Sequence, residues 1–234
     1  MIPSSVITHH MFPSFPSVMS DQDIHNAAKN GDISKLTTLI NNKTSLDVRC
    51  SSNWTPLHWA ARNGHSGAVQ VLVDAKASLN VKDSSGWTPM HWAAQSGHSG
   101  DVQVLVDAKA SLDVKDSNGW TPMHWAAQNG HSGAVQVLVA SGASITICDN
   151  SGLTPLQRAQ SNSKTDTANV LRAAEMVRTF DVARHGTSSN VQQLLSWKGS
   201  LEWKTTAGRT PLMEAVLVDH ADAAKVLIEA KASV

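Results

Sequence analysis

The feature that most constrains this chain is a near-exact internal repeat. The string W-T-P-L-H-W-A-A begins at Trp54, and W-T-P-M-H-W-A-A begins at Trp87 and again at Trp120, at one constant spacing. Diverged copies, L-T-P-L-Q-R-A-Q and R-T-P-L-M-E-A-V, begin at Leu153 and Arg209. Self-similarity at a period of about 33 residues indicates a stack of small units, each of which buries its apolar face against its neighbours.

Each copy carries the signals of two short helices and a turn. In the copy at Trp54, Thr55 is a good N-cap and Pro56 suits the first helical position, where its missing N–H costs nothing. Gly64 is placed to end this first helix. Residues 68–73 form a second apolar helix, and residues 79–86 are rich in turn formers that lead back to the next Thr-Pro.

With this pattern the chain resembles the ankyrin repeat family. The period, T-P-L-H-x-A-A, G-H after the first helix and V-x-V-L-V in the second all match, from about residue 22 to the end. The resemblance implies an all-α solenoid of about seven helix-turn-helix units with short β-hairpin fingers between them. Ile24 and Phe180 open two further units, one and six, that lack the Thr-Pro start.

The predicted organisation has three parts, with one irregularity. Residues 1–21 form a disordered tail, 22–175 hold repeats one to five, and 176–234 hold repeats six and seven, the last one truncated, which favours a piece of a longer protein. Ser163 and Gly186 hold equivalent places but lie closer together than one repeat period, so the finger between units five and six is missing. We predict a helical hairpin that turns near Met176 to Thr179; the alternative is one continuous helix over 166–185.

Composition excludes several classes of protein. Lys+Arg and Asp+Glu both number 19, so no basic excess indicates nucleic-acid binding. No apolar run reaches the roughly 18 residues of a membrane span. Cys50 and Cys148 lie about three units apart, too far for a disulfide, which fits a reducing compartment such as the cytoplasm or nucleus. We expect a monomer.

The histidines recur at the repeat period, and this argues against a metal site. One ion needs ligands at about 2 Å, whereas stacked units lie about 10 Å apart. The resemblance implies that the T-P-L-H histidine bonds the turn backbone and ties repeats together. No G-x-S-x-G, P-loop or Rossmann spacing occurs. We therefore predict no cofactor, no metal and no enzymatic activity. The two histidine rows are His58, His91 and His124, and His65, His98 and His131.

Tryptophan is the unusual component, because six of the eight occupy only two repeat positions. One row, inside the first helix, should pack against neighbouring repeats. The other precedes Thr-Pro, at the finger base on the concave side according to the resemblance, where exposed indoles would anchor a partner. A self-packing row and a binding row both remain open and are compatible. The first row is Trp59, Trp92 and Trp125, and the second is Trp54, Trp87 and Trp120.

The resemblance places further partner contacts on the concave face. At the fingers they are Arg49, Lys82 and Lys115. On the exposed side of the first helix they are Arg62, Gln95 and Gln128, with Asn63, Ser96 and Asn129. Cations beside tryptophans suit an acidic or extended partner segment.

One departure from the family pattern concerns the glycine that usually precedes the finger. It is replaced here by Lys76, Lys109 and Lys231. A lysine at positive φ costs on the order of 1 kcal/mol, so either these helices end differently or each unit carries that strain. From these features we predict a protein–protein interaction module or scaffold that binds a partner protein through its concave face. The alternative is a regulatory segment of a larger multidomain enzyme or signalling protein.

Overall fold

The computed structural model describes residues 21–187, 191–192 and 203–230, and this part of the chain is helical with no β-strand. The predicted all-α class is confirmed. The predicted 1–21 tail lies almost entirely outside the described residues. None of the described helices combines the length and apolar character needed to cross a bilayer. The helices are α1 (Asp21–Asn30), α2 (Ile33–Asn41), α3 (Pro56–Asn63), α4 (Ser66–Asp74), α5 (Pro89–Ser96), α6 (Ser99–Asp107), α7 (Pro122–Asn129), α8 (Ser132–Ala140), α9 (Pro155–Ser161), α10 (Thr165–His185), α11 (Pro211–Leu217) and α12 (Ala221–Glu229).

The helices begin and end where the repeat predicts. Thr88, for example, is an extended N-cap, and Pro89 is the first residue of α5. Gly97 ends α5 in the left-handed region at φ 78°, a conformation that costs glycine little. The same capping arrangement recurs in α3 and α7.

The units stack in two parallel rows of helices. Along one row α1, α3, α5, α7 and α9 pack in sequence, and along the other α2, α4, α6, α8 and α10 do so. Between the rows lies one continuous apolar cluster, in which Leu57, Met90 and Met123 are at most 1% exposed. The cluster extends from Ile24 in unit one to Leu171 in α10.

The loops between units are turns rather than paired strands in the described part of the chain, so the β-hairpin detail of the fingers is not seen there. Each turn is closed by a backbone bond, such as that from Asp83 N–H to Trp87 O at 2.8 Å. Neighbouring fingers are joined by a single backbone–backbone bond, for example from Ser84 N–H to Ser52 O at 3.2 Å. One bond between fingers does not make a ladder, and this leaves the segments as turns.

The predicted hairpin near Met176 to Thr179 is wrong, because α10 runs unbroken through these residues for 21 residues. The segment contains no Gly or Pro, and its Ala, Leu, Arg, Glu and Met residues favour helix. No residue is suited to leave the helix, so the segment that would have turned continues. The alternative of one continuous helix is therefore the structure.

Helix α10 serves two apolar cores. Its first half buries Leu171 in the main cluster, and its second half buries Ala183 in a smaller one with Leu212 and Leu227. Arg184 of α10 forms an ion pair with Glu214 of α11 at 3.0 Å. That hydrogen bond holds the pKa of the buried Glu214 carboxyl below its usual range. The predicted boundary at 175–176 falls inside this helix.

The lysines that replace glycine adopt the strained conformation. Lys76 and Lys109 have φ values of 71° and 68°, and Gly142 has 84° at the equivalent place. Of the two alternatives, a different helix end or a strained lysine, the structure shows the strained lysine at these two positions. Lys231 lies outside the described residues.

Candidate tryptophan ladder and its surrounding charges

The two predicted tryptophan rows form a single zigzag stack. Trp54 contacts Trp59 of its own unit at 4.5 Å between ring centroids and Trp92 of the next unit at 4.4 Å. Trp87 likewise contacts Trp92 at 4.4 Å and Trp125 at 4.3 Å. The last step, from Trp125 to Trp120, is 4.4 Å. We call the series Trp59, Trp54, Trp92, Trp87, Trp125 and Trp120 the tryptophan ladder.

The ladder confirms the self-packing interpretation and corrects the expected exposure of one row. Trp54 and Trp120 are only 8% and 9% exposed, whereas Trp87 is half-buried. Aromatic pairs at 4.5–7 Å contribute about 0.5–1.5 kcal/mol beyond area burial, and the ladder pairs lie at or just below the short end of this range. The indoles therefore cover one another, which removes the cost expected of a fully exposed row.

Cations lie on the ladder from its own chain. The Lys29 ammonium is 5.2 Å from the centroid of Trp59, and the Arg62 guanidinium is 5.2 Å from Trp54 and 5.3 Å from Trp92. At the other end Arg158 is 4.5 Å from Trp120. Indole faces are negative, so each contact is attractive.

Finger carboxylates anchor the indole edges. One Asp116 oxygen accepts the backbone N–H groups of Asn118 at 2.8 Å and Trp120 at 2.9 Å. Its other oxygen accepts the Trp125 indole N–H at 3.0 Å. Asp83 does the same for Trp92 at 3.1 Å. These carboxylates are therefore turn formers and indole acceptors, as expected of aspartates in a turn.

Both ends of the series of indole acceptors differ from the pattern. Cys50 stands where Asp83 stands one unit later, and the buried Trp59 indole N–H has no acceptor. In unit five Arg158 replaces the helix tryptophan and forms an ion pair with Asp149 at 2.6 Å. Sequence reasoning missed Arg158, although its place one repeat period after Trp125 was a usable signal.

The predicted finger cations form an exposed row that repeats once per unit. Arg49, Lys82 and Lys115 are all exposed. The Lys82 ammonium donates to Lys115 O at 2.9 Å, and the Lys115 ammonium donates to Cys148 O at 2.9 Å. Each lysine is thus held over the next finger with part of its hydrogen-bonding capacity left for another acceptor.

The predicted polar residues of the first helix divide into two sets. Arg62 is exposed, and Gln95 and Gln128 at the equivalent places are half-buried. The Asn63 amide donates to Lys29 O at 3.2 Å, and the Asn129 amide donates to Gln95 O at 3.1 Å, so these residues link adjacent units. The Ser96 hydroxyl donates to the Gln95 side chain at 3.2 Å.

Histidine ties each unit to the next, as the resemblance implied. His91 Nδ1 accepts the Thr88 N–H at 3.1 Å, because a backbone N–H can only donate. Nε2 must then carry the proton, which it donates to Trp120 O at 3.1 Å. This arrangement needs a neutral ring, and burial lowers the pKa of His91 to about 4. Burial likewise lowers the pKa values of His58 and His124.

The second histidine row makes a similar link beyond the C-terminal end of the first helix, where each histidine is the N-cap of the second helix. His65 contacts Lys29 O at 3.0 Å, His98 contacts Arg62 O at 3.1 Å, and His131 contacts Gln95 O at 3.0 Å. In both rows the histidine Nε2 atoms bond to backbone carbonyl groups of a neighbouring unit. In the described part of the chain, no cluster of three or more His, Cys, Asp or Glu is placed to hold a metal.

One buried charge has no counterpart in the neighbouring units. Asp101 is 0% exposed in the first turn of α6, where Ala68 and Ala134 occupy the equivalent places. The Ser66 hydroxyl donates to one of its oxygens, and the other has no partner. Burial raises the pKa of this carboxyl. Its break from the alanine pattern was visible in the sequence but was not singled out there.

Family comparison assigns the fold. A model of three ankyrin repeats matches residues 24–116 and 101–181, and a single ankyrin repeat model matches 207–234. No curated protein shows a significant match to the chain. Ankyrin repeats are generally protein–protein interaction modules and are typically not enzymes. With the family models matching well over half of its length, the chain belongs to the ankyrin repeat family.

Proposed function

We propose that the chain binds a partner protein through the face that carries the tryptophan ladder. The observation that supports this proposal is the combination of half-buried Trp87 with exposed cations that repeat once per unit. We call the exposed residues Arg49, Arg62, Lys82 and Lys115, together with Trp87, the ladder face. The family resemblance implies that this face is the concave side of the stack.

Rigidity favours this face as a binding surface. The ladder, the histidine links and the finger carboxylates fix the ladder face before any partner arrives, so little side-chain entropy is lost on binding. The charge is also suitable. Asp83 and Asp116 are buried and already accept N–H donors, whereas the lysines beside them reach solvent. An acidic or extended partner segment would meet an exposed positive row.

We propose that the chain itself acts as a monomeric scaffold or interaction module in the cytoplasm or nucleus. Cys50 and Cys148 are both free thiols, which fits a reducing compartment. The acting surface is the ladder face of units two to four, because the near-identical copies lie there.

The test compares two charge-matched variants in affinity capture from a cell extract. Lys82→Glu/Lys115→Glu reverses two cations of the ladder face. Lys43→Glu/Lys76→Glu reverses two exposed lysines, also one unit apart, at the turn after the second helix. We expect the first variant to lose a captured protein that wild type and the second variant retain. Equal capture by both variants, or equal loss from both, would contradict the proposal.

A further inference from the structure

One position of the repeat decides whether a cation covers the ladder. Its occupants in units one to four are Lys29, Arg62, Gln95 and Gln128. Lys29 covers Trp59, and Arg62 lies over the adjoining rings of Trp54 and Trp92, 5.2 and 5.3 Å from their centroids. Gln95 holds the place from which a cation would cover the next pair, Trp87 and Trp125.

That pair is therefore the part of the ladder without a cation of its own. Among the described residues, no Lys or Arg lies over either Trp87 or Trp125. The side-chain exposures of Trp54, Trp87 and Trp120, the tryptophans that precede Thr-Pro, follow the same pattern as the cation contacts. Trp54 under Arg62 and Trp120 under Arg158 are 8% and 9% exposed, whereas Trp87 is half-buried and more open than either.

The electrostatics of the uncovered pair suit a cation. Indole faces attract guanidinium and ammonium groups. The Trp125 N–H donates to Asp116, and hydrogen bonding to a carboxylate increases the negative charge of the ring that donates.

We propose that Trp87 and Trp125 form a slot for the guanidinium of an arginine side chain of the partner protein. That guanidinium would lie over the adjoining rings of Trp87 and Trp125 as Arg62 lies over those of Trp54 and Trp92. The inference rests on the proposed function, since it names the side chain that the partner places on the ladder face. Arginine is the occupant because its planar group stacks on aromatic rings, as Arg62 and Arg158 do within this chain.

The test needs no knowledge of the partner. The probe is N-acetylarginine methylamide, titrated into the full chain while NMR follows the assigned indole N–H signals of the ladder. N-acetylcitrulline methylamide, a neutral analogue of the same shape, is the matched control. We expect the arginine probe to shift Trp87 and Trp125 selectively, with about two- to five-fold higher affinity than citrulline.

Three variants at two equivalent positions locate the effect. Gln95→Arg supplies the missing cation from the chain itself and should reduce the arginine response to that of citrulline. Gln95→Met keeps the size without charge and should leave the response unchanged. Arg62→Gln should open a second slot and bring Trp54 and Trp92 into the response. All three changes lie on the solvent side of the first helix, and a retained indole spectrum verifies folding.

Clear outcomes overturn the proposal. The slot is excluded by equal shifts with citrulline, by equal shifts along the whole ladder, by a response that survives Gln95→Arg, or by no response to the arginine probe. It is also excluded if N-acetylaspartate methylamide shifts Trp87 and Trp125 as strongly as the arginine probe. Failure here leaves the capture experiment with Lys82→Glu/Lys115→Glu untouched, so the slot and the wider binding face are tested separately.

Discussion

Replacing Lys76 and Lys109 by glycine should stabilise the chain. Both residues are exposed and adopt positive φ, 71° and 68°. The conformation is required because Ala77 N–H donates to Leu72 O at 3.0 Å around this turn, a bond that ends α4. A left-handed residue with a Cβ costs about 1–2 kcal/mol, which glycine avoids. Glycine in turn loses about 0.4–1 kcal/mol more entropy on folding.

The net gain is therefore about 0.5–1 kcal/mol per site, and about 1–2 kcal/mol for the double variant, because the two turns are in different units and should add. Urea unfolding followed by far-UV circular dichroism measures it as a rise in midpoint. Lys76→Ala/Lys109→Ala is the matched control, since it removes the same side chains but keeps the strain. The reasoning is refuted if glycine gives no rise, or if alanine raises the midpoint as much as glycine.

Three further predictions concern the links between units. Cys50→Asp should give the Trp59 indole N–H the acceptor that it lacks and raise the free energy of unfolding, measured by urea titration, by about 1 kcal/mol. An unchanged free energy of unfolding would contradict the role assigned to the finger carboxylates. The folded pKa of His91, about 4, lies below its ordinary 6.5, so the unfolded chain takes up this proton first and stability should fall as pH drops from 6.5 to about 4. His91→Gln should make that fall less steep and lower the free energy of unfolding by about 1 kcal/mol at pH 7. If the pH dependence of stability is the same in the variant, His91 is not the group responsible for the fall. Val177→Pro, at a side chain that is 57% exposed, should break α10 and lower the free energy of unfolding by about 3 kcal/mol or more. Part of the far-UV helix signal should then be lost at a lower urea concentration than the near-UV signal of the ladder, whereas coincident transitions would contradict two separable cores.

The repeat could be read from the sequence because each signal is local. Thr88, Pro89 and Gly97 each act on the backbone next to them, so the helix ends follow from residue type alone. The histidine links were also expected, but from the resemblance to the ankyrin repeat family rather than from the residues alone. The strain at Lys76 was one of two outcomes that the sequence left open, the other being a different helix end.

The course of α10 could not be read in the same way. A missing finger indicates that the unit is altered. Whether the helix continues depends on whether burying both halves of one helix is more favourable than forming a turn between them. Leu171 and Ala183 pack into different cores, and a straight helix reaches both. That balance is a property of packing rather than of any one residue.

The ladder was partly predicted for a related reason. Two tryptophan rows at the repeat period predict that each row contacts the next unit, but not that the two rows merge. The merging depends on the rings of Trp54 and Trp92 meeting across a unit boundary, which needs side-chain directions. The covering role of Arg62 and Arg158 depends on the same geometry.

Helix α10 has a mechanical consequence. A chain of identical units pulled from its ends should give way one unit at a time, each releasing about 33 residues, equivalent to roughly 110 Å of extended chain. A single helix that belongs to two cores cannot release its halves in that way, because tension on one half is carried directly into the other. Single-molecule stretching should therefore show regular steps for the repeats that hold the ladder and one larger step for the segment around α10.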